Sequence, residues 1–399
     1  MTTSTLTTAT GMISTLASQF ETTSSVSSIN FTDDNPFMTS DSFLATDLTE
    51  NMTTAAVMET TTQGDGRNFR FEDYTQRAII GTIVCLVAVV GFVGNVMVIL
   101  AVILSRKLQT RTNAFVVNLA VADLVTCFSA PFSALALFSM SGWPMPEVVC
   151  SFMAAVGFNS LACSIMTLAA IAINRFVLIT KTTARYRSIY TPKKIAAMLV
   201  FTWAYPTFLS SFPLVGFGKW GYSDKYKSCT QDTSHETSDL YSLFGSVLAF
   251  PVPLIILFVC YFKIYRHVTG HMKKFIGKEE IELADDNMNT SSPAANTTPL
   301  HQNPPTSFSK RQVEITKNLF YVVCAFVACL APFAVALTIP PSDPAIPWTG
   351  TLVIFNSCIN PIIYGAKHPH FKDVFRHMLG CRYHMIPEPS SLLRVVSSK

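Results

Sequence analysis

IIGTIVCLVAVVGFVGNVMVILAVIL, residues Ile79–Leu104, is a run of 26 positions without a single Asp, Glu, Lys or Arg. A bilayer core takes about 20 apolar residues of helix to cross. A crossing strand of a barrel takes about ten and alternates in polarity, which this stretch does not. Six further windows repeat the pattern: Ala114–Met140, Val148–Thr180, Ile195–Val215, Tyr241–Phe262, Leu319–Ile339 and Ile346–Ala366. Length alone, 399 residues, would suggest two or three soluble domains. Composition overrules it, with 49% hydrophobic residues and only 14% charged ones, which avoid these windows. The expected fold is an all-α membrane protein built as a seven-transmembrane helix bundle. The charged exceptions are Asp123 in the second window and Arg175 near the end of the third. A charge inside a bilayer costs a few kcal/mol or more unless it is partnered, so both are functional candidates from the outset.

The basic residues orient the bundle. Met1 to Gly66 contains no Lys or Arg, and the first three are Arg67, Arg70 and Arg77. With the N-terminus outside, the outer segments add only Lys219, Lys225 and Lys227, and the other 23 of 29 lie inside. That asymmetry places the N-terminus outside and the C-terminus inside. Residues 1–75 are Thr/Ser-rich, have no apolar run long enough for a cleaved signal peptide, and are expected to form a disordered extracellular tail. Its sequons at Asn30 and Asn51 are expected glycosylation sites. Residues 76–366 form the transmembrane domain, including a flexible cytoplasmic connection over 266–318, and 367–399 form a cytoplasmic helix and tail. Phe371, Val374, Phe375, Met378 and Leu379 share one helical face, a pattern that suits a short amphipathic helix lying along the membrane surface.

Ten cysteines are present, and most fall within or beside the spans, where a small buried apolar residue is the ordinary reading. Only Cys150 and Cys229 reach the outer surface, where oxidation is favoured, so topology selects them as a disulfide pair. Cys381, just past the last membrane segment on the inner side, is a palmitoylation candidate. An unmodified thiol is the alternative.

Nearly every span carries one distinctive element. In order they are Gly94-Asn95-Val96, Leu119-Ala120-Val121-Ala122-Asp123-Leu124, Asn174-Arg175-Phe176, Trp203 with Pro213 beyond it, Pro253 with Tyr261, Phe326 with Cys329-Leu330-Ala331-Pro332, and Asn360-Pro361-Ile362-Ile363-Tyr364. Together they resemble the fingerprint of class A (rhodopsin-like) G-protein-coupled receptors, over residues 79 to about 381. Asn174-Arg175-Phe176 and Gly-Lys-Trp-Gly-Tyr at 218–222 are most similar to a melatonin-receptor-like branch that includes the moody and trapped-in-endoderm receptors.

The resemblance implies roles for particular residues. Asn95, Ser164, Asn356, Ser357 and Asn360 would converge on Asp123 and hold sodium, a hard cation suited to oxygen ligands. A purely structural polar network is the alternative. Pro213, Pro253, Pro332 and Pro361 each remove a backbone hydrogen bond, and either shape the bundle or, at Pro332 and Pro361, mark where helices bend on activation. Tyr261 and Tyr364 would then swing beneath, towards Arg175, with Asn174 and Phe176 completing the G-protein-coupling switch.

The ligand is narrowed by what is missing. Biogenic-amine receptors carry a carboxylate seven residues after the third-helix Cys, where this chain has Gly157. Opsins carry a retinal-bearing Lys six residues before the Asn of the seventh-helix motif, where this chain has Ile354. The expected cavity, lined by Phe158, Leu161, Ala162, Gly245, Ala249, Phe333, Ala334, Leu337, Gly350 and Ile354, contains no charge and favours an apolar or amphiphilic small molecule. Some of these positions could instead face lipid or core. The expected function is a plasma-membrane receptor that binds an extracellular ligand and activates a heterotrimeric G protein. Its partners would be these two and membrane lipid; no catalysis, cofactor or nucleic-acid partner is expected. A peptide receptor of the same class, and a transporter or channel, are the rivals. The chain also departs from the family pattern: Asn174 replaces the usual acid, Gln312 an acid on the sixth span, and Leu330 a Trp.

Overall fold

A computed structural model of the chain describes residues 69–288 and 307–397. Among them, seven segments are helical, long and apolar enough to cross a membrane. The helices are α1 Tyr74–Leu104, α2 Arg111–Phe138, α3 Glu147–Thr180, α4 Thr183–Ile189, α5 Pro192–Ser210, α6 Ser238–Ala249, α7 Pro251–Met288, α8 Ser307–Thr338, α9 Ile346–Lys367, α10 Pro369–Leu379 and α11 Ser391–Ser397. The spans are α1, α2, α3, α5, the α6–α7 pair, α8 and α9, in agreement with the expected bundle.

Local chemistry sets the helix starts. The Asp73 carboxylate accepts from the N–H groups of Thr75 and Gln76, Thr110 caps α2, and Thr191 caps α5 with Pro192 in the first turn. Each side chain satisfies a backbone donor that the first turn leaves unpaired. Arg77 reaches across to the far end of α2, its Nε donating to the Leu137 carbonyl at 3.1 Å and its Nη2 to that of Ser139. A guanidinium there answers both the open carbonyls and the negative end of the helix dipole.

Apolar burial alone cannot hold helices together in lipid, which is as apolar as leucine, so close backbone approach and polar bonds matter more. Both are present. A methyl on Gly94 would lie 2.8 Å from Pro361, and one on Gly91 would lie 2.5 Å from the Cys127 sulfur. Those glycines let α1 pack directly on α9 and α2. Leu86, Val89, Phe92 and Val93 point outward from α1 as a lipid-facing surface.

The all-α bundle stands as expected, with one short hairpin between its spans: β1 Trp220–Ser223 and β2 Ser228–Gln231 pair antiparallel, with Tyr222 opposite Cys229. Four other expectations are corrected. The fifth span is interrupted at Phe250, because Pro251 and Pro253 both lack the amide that a continuous helix requires. The expected connection over 266–318 is helical at both ends, since α7 runs to Met288 and α8 starts at Ser307. Pro213 lies in a 3-10 turn, Phe212–Val215, rather than inside a helix; Pro206 and Pro131 are the prolines inside α5 and α2. Finally, the apolar face of α10 (Phe371, Val374, Phe375 and Met378) is packed into the main core with Leu108 and Tyr364, and only Leu379 is turned outward. Asn30 and Asn51 lie outside the described residues.

Candidate functional site

Asp123 is 1% exposed at the middle of α2. Its carboxylate accepts from Asn360 Nδ2 at 2.7 Å and, at a longer 3.5 Å, from Ser164 Oγ, so α2, α3 and α9 meet there. Ser357 and Asn356, one helical turn back along α9, are buried beside them. Asn95 does not reach the carboxylate as expected; its Nδ2 donates to the backbone carbonyls of Gly91 and Ser357, both at 2.8 Å, and ties α1 to α9 instead. Two oxygens of the cluster, Oδ1 of Asn356 and of Asn360, are buried with no hydrogen-bond partner among the described residues. Orphaned buried acceptors are costly and rare, and call for a donor or a cation. A carboxylate, two amide oxygens and two hydroxyls form the hard oxygen set that sodium takes. The residues present fit the ion.

At the opposite end of α3 lies the second cluster. Asn174 is fully buried; its Oδ1 accepts from Thr112 Oγ1 of α2 at 2.6 Å, and its Nδ2 donates to the Tyr186 hydroxyl of α4 at 3.3 Å. Arg175 is 4% exposed, with Tyr261, Tyr186 and Tyr364 around it. The Tyr261 and Tyr364 hydroxyls are buried without hydrogen-bond partners among the described residues, Tyr261 packing on Phe320 and Tyr364 stacking on Phe371. Phe176 is half-buried, with the Lys263 ammonium 5.8 Å from its ring centre. Beside this cluster, a groove of about 150 Å³ opens between Ile179, Tyr261, Ile264 and Phe320. Pro332 and Pro361 sit inside α8 and α9, as the motif spacing required.

Sequence reasoning singled out Trp203 but missed its partner. Asn118, buried one turn and a half before Asp123, accepts from Trp203 Nε1 at 2.9 Å and donates to the hydroxyls of Thr167 at 2.8 Å and Thr202 at 3.2 Å. It binds α2 to α3 and α5. A single polar amide within the apolar run 116–122 was the available signal.

The far end of the bundle is covered by the hairpin. Cys150, at the start of α3, is bonded to Cys229 of β2 with 5.1 Å between their Cα atoms, as topology indicated. The turn between the strands is fastened on two further sides. Lys225 pairs with Asp343 at 2.9 Å and the Tyr226 hydroxyl donates to the same carboxylate at 3.0 Å, while Phe71 N–H donates to the Lys225 carbonyl at 2.9 Å. The Lys227 ammonium, bonded to Asp224, holds that carboxyl below the usual range. Bonds from Glu147 and Asp232 raise the Lys219 ammonium.

The model of the 7 transmembrane receptor (rhodopsin family) matches residues 94–364, taking in every one of these polar clusters. The chain belongs to this family. This rhodopsin-family chain is 30% identical over 331 residues to the alpha-1D adrenergic receptor of Mus musculus, covering 76% of itself and 57% of that protein. It therefore spans little more than half the length of that relative. To protein trapped in endoderm-1 of Drosophila melanogaster it is 28% identical over 299 residues, covering 73% of itself and 74% of that protein. The fold matches the crystal structure of squid rhodopsin with a TM-score of 0.64 at 21% identity, over 79% of this chain and 89% of that one.

The rhodopsin-family chain does not gather the expected ligand-pocket residues into one packed group. Ala162 and Ala249 pack with Leu209, and Phe158 lies between Trp220 and Phe250. Leu161 packs against the main core, and Ile354 against a separate cluster of α1 and α2 residues. Phe333 is half-buried beside Gly350, and Leu337 is 52% exposed.

Proposed function

We propose that this protein is a plasma-membrane receptor, N-terminus outside, that binds an extracellular ligand at the disulfide end of the bundle and activates a heterotrimeric G protein at the Arg175 end. The observation that carries this reading is the paired construction of the Arg175 end. A buried guanidinium sits beside two buried phenols whose hydroxyls have no hydrogen-bond partner among the described residues, next to an open groove. Hydroxyls left in that condition in one arrangement gain bonds in another, which is how a bistable switch stores its second state. The excess of Lys and Arg at that end supports its inward orientation. Nucleotide exchange on purified G proteins, measured with the receptor in nanodiscs, tests this directly. Acceleration by the receptor over empty discs is expected; ion or solute flux without exchange would favour a transporter or channel instead.

An apolar or amphiphilic small ligand is the better reading over an amine, whatever the adrenergic relative binds. Gly157 faces the Ser129 hydroxyl and offers no carboxylate, and the aromatic walls of Phe158 and Phe333 carry no charge. The trapped-in-endoderm similarity supports placing the chain near that branch. Palmitoylation of Cys381 rests on its exposure just past α10.

A bound sodium ion would supply the positive charge that balances Asp123. Asp123 with Ser164, Asn356, Ser357 and Asn360 would hold it, and in doing so would favour the arrangement seen here. Sodium should then lower agonist affinity, because a ligand shifts an equilibrium only through unequal affinity for its two states. Asp123→Asn should abolish the difference between sodium and a large organic cation in agonist competition curves. A sodium effect of unchanged size in that variant would leave the cluster as helix-to-helix glue.

A further inference from the structure

The last segment of the chain does not hang free of the bundle. The Ser390 N–H donates to the carbonyl of Leu104, the final residue of α1, at 2.9 Å, and Arg106 N–H donates to the Glu388 carbonyl at 2.9 Å. Ser105 Oγ donates to the Pro387 carbonyl at 2.8 Å, and Ser105 and Pro389 form an antiparallel bridge. Ile386, Ser390 and Leu393 are buried in this contact. The tail thus supplies a partner for a helix-end carbonyl that would otherwise lack one.

Since Leu104 ends the first span, whatever is bonded to it lies at the depth where that span leaves the hydrocarbon. At this depth the segment shows an unusual surface. Leu379, Tyr383, Met385 and Val395 are 73%, 44%, 51% and 62% exposed. Around them the exposed Lys372, Arg376, Arg382 and Arg394 outnumber Asp373 and Glu388. The apolar face of α10 itself is used up against the bundle. Large apolar groups rimmed by arginines, held at an interface, match the chemistry of an anionic bilayer surface.

We propose that the segment after α10, Tyr383–Ser397, is a membrane-binding element in its own right. Met385 and Val395, with Leu379, enter the inner leaflet, and Arg382 and Arg394 bind acidic phospholipid headgroups. This rests on the Arg175 end facing inward, which a C-terminal epitope, accessible only after cells are permeabilised, checks separately.

Hydrogen exchange on the full-length receptor tests the element without any readout of signalling. Peptides covering 383–397 should exchange more slowly in nanodiscs containing phosphatidylserine than in phosphatidylcholine alone, by about fivefold for each arginine that reaches a headgroup. Arg382→Gln with Arg394→Gln should remove that difference. Met385→Glu with Val395→Glu should speed exchange in both disc types while peptides of α1 keep their protection. Should the variants disturb α1, high salt applied to the unaltered receptor decides, since it must cancel the phosphatidylserine increment. Equal exchange in the two disc types, or an increment that survives the arginine variants or high salt, overturns the proposal.

Discussion

Cys150→Ser and Cys229→Ser should each remove nearly all receptor from the cell surface, and the double variant should be no worse than either single one. The bond closes a loop with a sequence separation of 79, for which the chain-entropy model gives about 4 kcal/mol. That is a large share of the stability of an ordinary domain. The loop it closes also carries the hairpin, fastened to α3 by Ser151 Oγ on the Trp220 carbonyl at 2.7 Å and by Lys219 on Glu147 at 2.9 Å. Without the covalent link these two polar contacts cannot hold the hairpin over the bundle, because a neutral hydrogen bond or a surface ion pair contributes about 1 kcal/mol each. Flow cytometry with an N-terminal epitope, normalised to total protein, gives the measurement. Surface levels within twofold of the parent in both single variants would show the hairpin to be held by packing alone.

Arg175→Ala should abolish G-protein coupling, a loss of at least tenfold in nucleotide exchange, while leaving the melting temperature of the purified receptor within a few degrees of the parent. Its neighbour gives the sharper test. Asn174 accepts from Thr112 and donates to Tyr186, and an aspartate of the same shape could accept from both hydroxyls. What it adds is a negative charge next to a buried guanidinium, and a hydrogen bond to a charged group is worth about 1.5–3 kcal/mol. If that bond forms only in the resting arrangement, Asn174→Asp should lower basal exchange about tenfold on matched surface amounts. The parent should accordingly show appreciable basal exchange. An unchanged basal rate in Asn174→Asp would mean that the neutral residue does not set the resting state. The side chains of Gln312 and Glu314, the other groups on which this balance turns, lie outside the described residues.

The bundle was legible in the sequence because the bilayer leaves so few solutions: uninterrupted apolar stretches must be helices, and a charge inside one must be partnered. Asp123 was found that way; Asn360 and Ser164 came from the family resemblance, and the three meet where α2, α3 and α9 pack together. Asn95 was misassigned because its side chain had two uses of equal chemical merit, and only the close approach allowed by Gly94 and Gly91 makes the α9 backbone the nearer acceptor. The hairpin was missed because four-residue strands carry too little periodicity to stand out. The burial of the α10 face was missed for another reason. An amphipathic pattern states that one side is apolar, and says nothing of whether lipid or protein covers it.

Asn118 uses both its amide donor and its carbonyl oxygen, and the three side chains it engages belong to α3 and α5. Tyr261 on α7 and Tyr364 on α9 are its opposite, with buried hydroxyls that engage nothing among the described residues. The molecule is therefore uneven in its hydrogen-bonding capacity. α2, α3 and α5 are cross-linked through Asn118 at one level, like the fixed jaw of a vice. At the Arg175 end, the phenol hydroxyls still open to new bonds among the described residues are on the fifth and seventh spans. Rearrangement of this receptor should run through that half, pivoting on a frame whose own bonds stay unbroken.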